Sequence, residues 1–152
     1  MLGLALLLLA AGAVSWNVHQ AVKKYKFRSD VSRLELQLTS CYTLALNTAV
    51  DWTFHLTCKE GRLRAQTLCL HSSNPPPKPL LFDSLQASFN GEEFEELSIY
   101  FSPTGRIEPE GRIEFYQKSS PFRQEILLPD CFRIKQLIDK QGPTHPADAM
   151  PS

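Results

Sequence analysis

The first proline in this chain is Pro75, and no glycine lies between Gly12 and Gly61. The first fifty residues therefore hold almost nothing that would interrupt a helix. They read as one long α-helix in two parts. The front is an unbroken apolar run from Met1 to Val14 (MLGLALLLLAAGAV), and the rear, from Lys23 to Val50, is charged and periodic. All 11 prolines and a series of short alternating runs follow Asp51. That contrast predicts an α+β chain: a long N-terminal helix packed on an antiparallel β-sheet domain. The expected divisions are a hydrophobic helix over 1–22, its amphipathic continuation over 23–50, a β domain over 51–138 and a disordered tail over 139–152.

The apolar front is compatible with three structures. Fourteen apolar residues fall short of a ~30 Å hydrocarbon core. Ser15, Trp16, Asn17 and Val18 extend the run, and Trp16 is an interfacial aromatic. Leu4, Leu6, Leu7, Leu8, Leu9, Val14 and Trp16 are the residues expected to face lipid or neighbouring helices. The same run has the apolar segment and the A-x-A-like end (Ala11-Gly12-Ala13) of a secretory signal peptide, but no basic residue precedes it. As a buried core helix it would be unusually uniform. Lys23, Lys24, Lys26 and Arg28 follow it closely. On the positive-inside rule alone they would hold the C-terminal bulk in the cytoplasm.

In the rear part Val31, Leu34, Leu38, Cys41, Ala45 and Thr48 recur at spacings of three and four, a helical stripe. Leu34, Leu38, Cys41 and Ala45 are the expected contacts with a sheet. Leu36, Leu44 and Leu46 are expected to widen the apolar cover. Ser29 or Asp30 could cap a second helical start, with a bend there.

Asp51 to Cys58 (DWTFHLTC) alternates strictly, with Trp52, Phe54, Leu56 and Cys58 on one face. Lys59 to Arg62 is a turn, and Arg62 to Leu70 alternates again, which makes a hairpin. In simple register Cys69 faces Trp52, so Cys58 and Cys69 are not cross-strand partners. The proline-rich HSSNPPPKP (His71 to Pro79) reads as a rigid connector. Leu80 to Phe89 holds one or two short strands, Asn90-Gly91 is a turn, and Glu92 to Glu96 form an acidic patch around Phe94. Strands follow at Leu97 to Phe101, Arg112 to Gln117 and Phe122 to Leu128, with a Pro-Gly turn at Ser102 to Arg106 and a final strand or turn at Cys131 to Ile134.

Sixteen basic and 16 acidic residues leave no net charge, which argues against a nucleic-acid binder. Cys41, Cys58, Cys69 and Cys131 could pair in an oxidising compartment or sit as small buried apolar groups. They form no C-x-x-C, and no histidine stands at zinc-site spacing, so no metal or other cofactor is expected. His19, His55, His71 and His145 are scattered, and there is no G-x-S-x-G, P-loop, G-x-G-x-x-G or H-E-x-x-H. The expectation is a non-enzymatic assembly or binding role.

The order of these features resembles an H-type (GspH/FimT-like) minor pseudopilin of the bacterial type II secretion system, a relative of the type IV minor pilins. The resemblance runs roughly from Met1 to Ile134. It rests on the leucine-rich start, on the helix feeding straight into a strand over Leu34 to Leu56, and on LSIYFSPTGRIEPEGRIEF (Leu97 to Phe115). It implies a pilin-like single-pass protein of the inner membrane with a periplasmic domain. Prepilin peptidase would process it, and its helix would move from membrane into the core of a short filament shared with other pseudopilins. The domain could also meet the secreted substrate. The family's processing site is a Gly followed by an apolar or aromatic residue, with an acid five positions into the mature chain. Here Gly3 precedes Leu4, the acidic position would be Leu8, and no acid occurs before Asp30. The expectation is that translation starts upstream of Met1 or that the sequence is shortened at its start. The rival readings are a secreted binding domain released by cleavage near Ala13, a minor pilin of a type IV pilus, and a membrane protein whose domain faces the cytoplasm.

Overall fold

The computed structural model describes residues 2–128 and Phe132. One helix, α1 (Leu2–Thr48), leads into nine strands. These are β1 (Trp52–Lys59), β2 (Arg62–Cys69), β3 (Leu80–Phe82), β4 (Gln86–Phe89), β5 (Glu92–Glu93), β6 (Glu96–Phe101), β7 (Ile107–Glu108), β8 (Gly111–Tyr116) and β9 (Arg123–Leu128). The architecture is α+β, as the sequence pattern requires. The strands form two antiparallel sheets, β3-β2-β1-β6-β7 and β5-β4-β8-β9.

The hairpins follow from local chemistry. Lys59 pairs with Arg62, leaving a two-residue loop in which Glu60 and Gly61 both have positive φ. Asn90 and Gly91 do the same between β4 and β5. Such turns match the right-handed twist of the strands they join, and glycine takes that conformation without steric cost. The β1–β2 register puts Trp52 opposite Cys69 and Cys58 opposite Leu63, as simple alternation predicts. The Pro-rich loop joins β2 to its antiparallel neighbour β3, and Gln66 Nε2 donates to the Pro77 carbonyl at 3.4 Å.

One apolar cluster joins the helix and both sheets. Phe54 and Leu56 of β1, Leu63 and Ala65 of β2, and Ile99 and Phe101 of β6 are buried with Ala87, Ile113, Phe115, Ile126 and Leu128 of the second sheet. From the helix, Phe27, Val31, Leu34, Leu38, Cys41, Tyr42 and Ala45 enter it. The flanks of that stripe show where α1 lies. Arg33 sits over the Phe82 ring of β3 at 5.6 Å, while Gln124 of β9 donates to Glu35 Oε1 at 3.0 Å. Arg33 and Glu35 lie on either side of Leu34, so the helix rests between an edge strand of one sheet and an edge strand of the other.

Three expectations about α1 are corrected. It has no second start at Ser29 or Asp30 and runs as one helix from Leu2 to Thr48. A continuous i→i−4 ladder leaves no free amide there to cap. Nor is the apolar cover wide: Leu36 is 68% exposed, and Leu44 and Leu46 are 37% and 38% exposed. Leu36 lies about 200° round the helix from Leu34 and so points away from the sheets. Thr48, the last residue of the predicted stripe, is exposed as well. It ends the helix instead, accepting a hydrogen bond from Trp52 Nε1 at 3.0 Å just after Ala49 turns to positive φ. Cys131 and the 139–152 tail lie outside the described residues.

Candidate functional site: the bare half of the helix

From Gly3 to Lys26 no residue of α1 is buried, and from Phe27 onward the stripe begins. Every residue expected to face lipid or other helices is exposed, with Leu4 at 67%, Leu7 and Leu9 at 72% and Trp16 at 66%. Leu6, Leu8 and Val14 are exposed in the same way. This is not a core helix of its own domain. It is one helix long and apolar enough to cross a membrane, and none of the apolar window is covered by the other described residues. An uncovered apolar rod of this size is an anchor, a signal sequence or an interaction surface.

All four residues expected to hold the helix to the sheets are in the core: Leu34, Cys41 and Ala45 at 0% exposure and Leu38 at 1%. The sequence pattern missed two further contributors. Phe27 stands one helical step before Val31 and meets Phe122 with ring centroids 6.0 Å apart. Its place among Lys23, Lys24, Lys26 and Arg28 hid it, although the three-and-four spacing continues backward to it. Tyr42 stacks on Phe132 at 4.8 Å and meets Phe101 edge-on at 6.2 Å. Gly105, at φ 84°, lets the β6–β7 turn come close to Tyr42: an added Cβ there would lie 3.4 Å from its hydroxyl. These contacts join the rear end of α1 to the β6–β7 corner.

Cys41, Cys58 and Cys69 are free thiols. Cys58 and Cys69 stand at opposite ends of the β1–β2 hairpin, which keeps them apart. Burial, with Cys69 nearby, pushes the Cys41 thiol up to about 12. Burial also raises Cys58. Cys131, the fourth candidate, lies outside the described residues.

The remaining polar groups are dispersed. His55 Nδ1 shares a 2.8 Å hydrogen bond with Ser98 Oγ across the β1–β6 pair. The acidic stretch is split between elements: Glu93 accepts from the Tyr116 hydroxyl at 2.8 Å, and Glu96 pairs with Lys59 at 3.8 Å. An open cleft of about 230 Å³ lies beside Tyr116, lined by Cys58, Arg62, Glu93, Phe94 and Lys118. Burial, then the bond to Glu93, raises Tyr116 to about 12, so it stays a neutral donor across the physiological range. Among the described residues no group of three or more His, Cys, Asp and Glu side chains converges. No protein-family model, no curated protein and no solved structure matches this chain.

Proposed function

We propose that this chain is an assembly subunit of the minor-pseudopilin type: a single-pass inner-membrane protein whose periplasmic β domain decorates a short secretion filament. The reading rests on the bare helix half, an apolar rod that no other described residue covers, joined to a domain whose described core closes without it. Such a helix is solvated equally by lipid tails and by the apolar helices of sister subunits. Transfer from membrane to filament core therefore costs little in burial. The order of helix, hairpin and Pro-Gly turn, which resembles the H-type pseudopilins, supplies the biological setting. Prepilin peptidase, other pseudopilins and a secreted cargo are the partners this role requires. A type IV pilus minor pilin would use the same construction. No step of this role is catalytic, and none needs a cofactor.

The test is cysteine substitution one residue at a time from Leu4 to Val18, in membranes that hold the complete secretion apparatus. Crosslinks to sister subunits that recur with helical period are expected. Monomers at every position overturn filament assembly.

A second reading has its own support. The core stripe starts at Phe27, so cleavage near Ala13 would leave the domain whole as a secreted binding module. The mass of the mature protein separates the two. Loss of Met1 to Ala13 would remove the anchor and end the pseudopilin reading.

A further inference from the structure

We infer that Lys23, Lys24, Lys26 and Arg28 form a partial collar on α1 that binds the phosphates of anionic lipid headgroups and sets the depth at which the helix sits. The inference rests on the membrane-anchor reading of the bare helix half and names the ligand of its water-facing end.

Three observations carry it. The first is distribution around the axis. At 3.6 residues per turn these four side chains point in directions roughly 0, 100, 300 and 140° apart from Lys23. Tyr25, 77% exposed, fills the widest gap between them. The cations therefore occupy an arc of about 200°, and Tyr25 stands in the remaining sector. The second is the lack of partners. Lys24, Lys26 and Arg28 are exposed and Lys23 is half-buried. Among the described residues none of the four takes part in a salt bridge. The first acid in the chain is Asp30, which is half-buried and shared between the fields of Lys26 and Arg33. Among the described residues these four positive charges are thus outside every salt bridge, and three of them are exposed.

The third is height. The exposed apolar front ends at Val18 and Val22, next to the cations. From Lys23 to Arg28 the helix rises about 7.5 Å, the depth of one headgroup layer. Trp16 and Tyr25 bracket that boundary as interfacial aromatics, and Asn17, His19 and Gln20 are the first polar groups on the way out. Lysine and arginine stems lie along apolar surface while their charges reach the phosphates. Phe27 then enters the domain core, so the domain begins directly above the collar. A cluster of cations outside every salt bridge among the described residues, directly after the apolar front, matches the phosphodiester of an acidic lipid.

The full-length chain carrying Trp52→Phe retains Trp16 as its sole tryptophan. It is reconstituted in phosphatidylcholine vesicles with a trace of phosphatidylglycerol or phosphatidylcholine dansylated on the acyl chain. Energy transfer from Trp16 reports which lipid gathers round the helix. The expected result is about two- to fivefold higher transfer to the anionic lipid, weakened by salt. The preference should vanish when all four cations are changed to glutamine, with helicity by circular dichroism unchanged. Equal transfer to both lipids, or a preference that survives the fourfold change, overturns the collar and leaves the anchor intact. No transfer to either lipid overturns both.

Discussion

The two halves of α1 use apolar residues in opposite ways. The front is the more apolar of the two, and from Gly3 to Lys26 none of it is buried. The rear is interrupted by Arg33, Glu35 and Gln37, yet it holds Val31, Leu34 and Cys41 at 0% exposure. Burial here follows the availability of a complementary surface, not hydrophobicity. Both sheets offer their inner faces to the rear half only. A leucine in the front gains nothing from the described residues, because none of their surface is withdrawn from water with it.

The comparison can be broken at several points. The largest contrast lies in thiol reactivity. The thiolate is the nucleophile, and a group held at about 12 is ionised roughly a thousandfold less at pH 8 than an ordinary exposed cysteine. Cys41 should therefore label about 10³ times more slowly than a cysteine placed in the front half by Lys24→Cys. Peptide mass spectrometry after timed alkylation in detergent measures both rates. Comparable rates would mean that the rear stripe is open.

Next is core truncation. Leu38→Ala should cost about 3 kcal/mol of unfolding free energy, whereas Leu8→Ala should change it by less than about 0.5 kcal/mol. Denaturant melts of the solubilised protein compare the two. A large cost for Leu8→Ala would reveal a partner for the front half.

A smaller effect belongs to the joint between helix and β1. Thr48→Ala removes the acceptor of the Trp52 indole and should cost about 0.5–1 kcal/mol. The same melts report it, and an unchanged midpoint would show that the joint is held by packing alone.

The smallest effect concerns Asp30, near the boundary between the halves. Desolvation raises its carboxyl, against the opposing pull of Lys26 and Arg33. A raised folded value means that the native state holds the proton more tightly than the unfolded chain does. Stability from this group is thus fully present below its unfolded value and falls as pH rises through the folded one. Asp30→Asn should therefore stabilise slightly at pH 7 and not at about pH 3. Thermal melts at the two pH values check the sign; a gain confined to acid would reverse it.

Much of this was legible in local pattern. The long helix followed from the absence of prolines and glycines, and the hairpin register from alternation between Trp52 and Cys69. The contacts Leu34, Leu38, Cys41 and Ala45 followed from their spacing. What failed was width. Leu36, Leu44 and Leu46 look like additional core in sequence, because composition records that a residue is apolar but not which way its neighbours leave room. Phe27 was masked by the cations around it, and Tyr42 by its place beside the stripe. Both are buried because Phe122, Phe101 and Phe132 arrive from distant parts of the chain.

The sequence by itself determined the α+β class, the span of the helix and the turns, since these depend on periodicity and on residues a few positions apart. Only the tertiary structure decided where the helix stops being bare. That point is Phe27, and it is set by the two sheets whose edge strands flank the rear half, a fact no local window contains. The apolar front was written in the chain from the start. That it remains uncovered is a property of the folded domain, which closes its core without it.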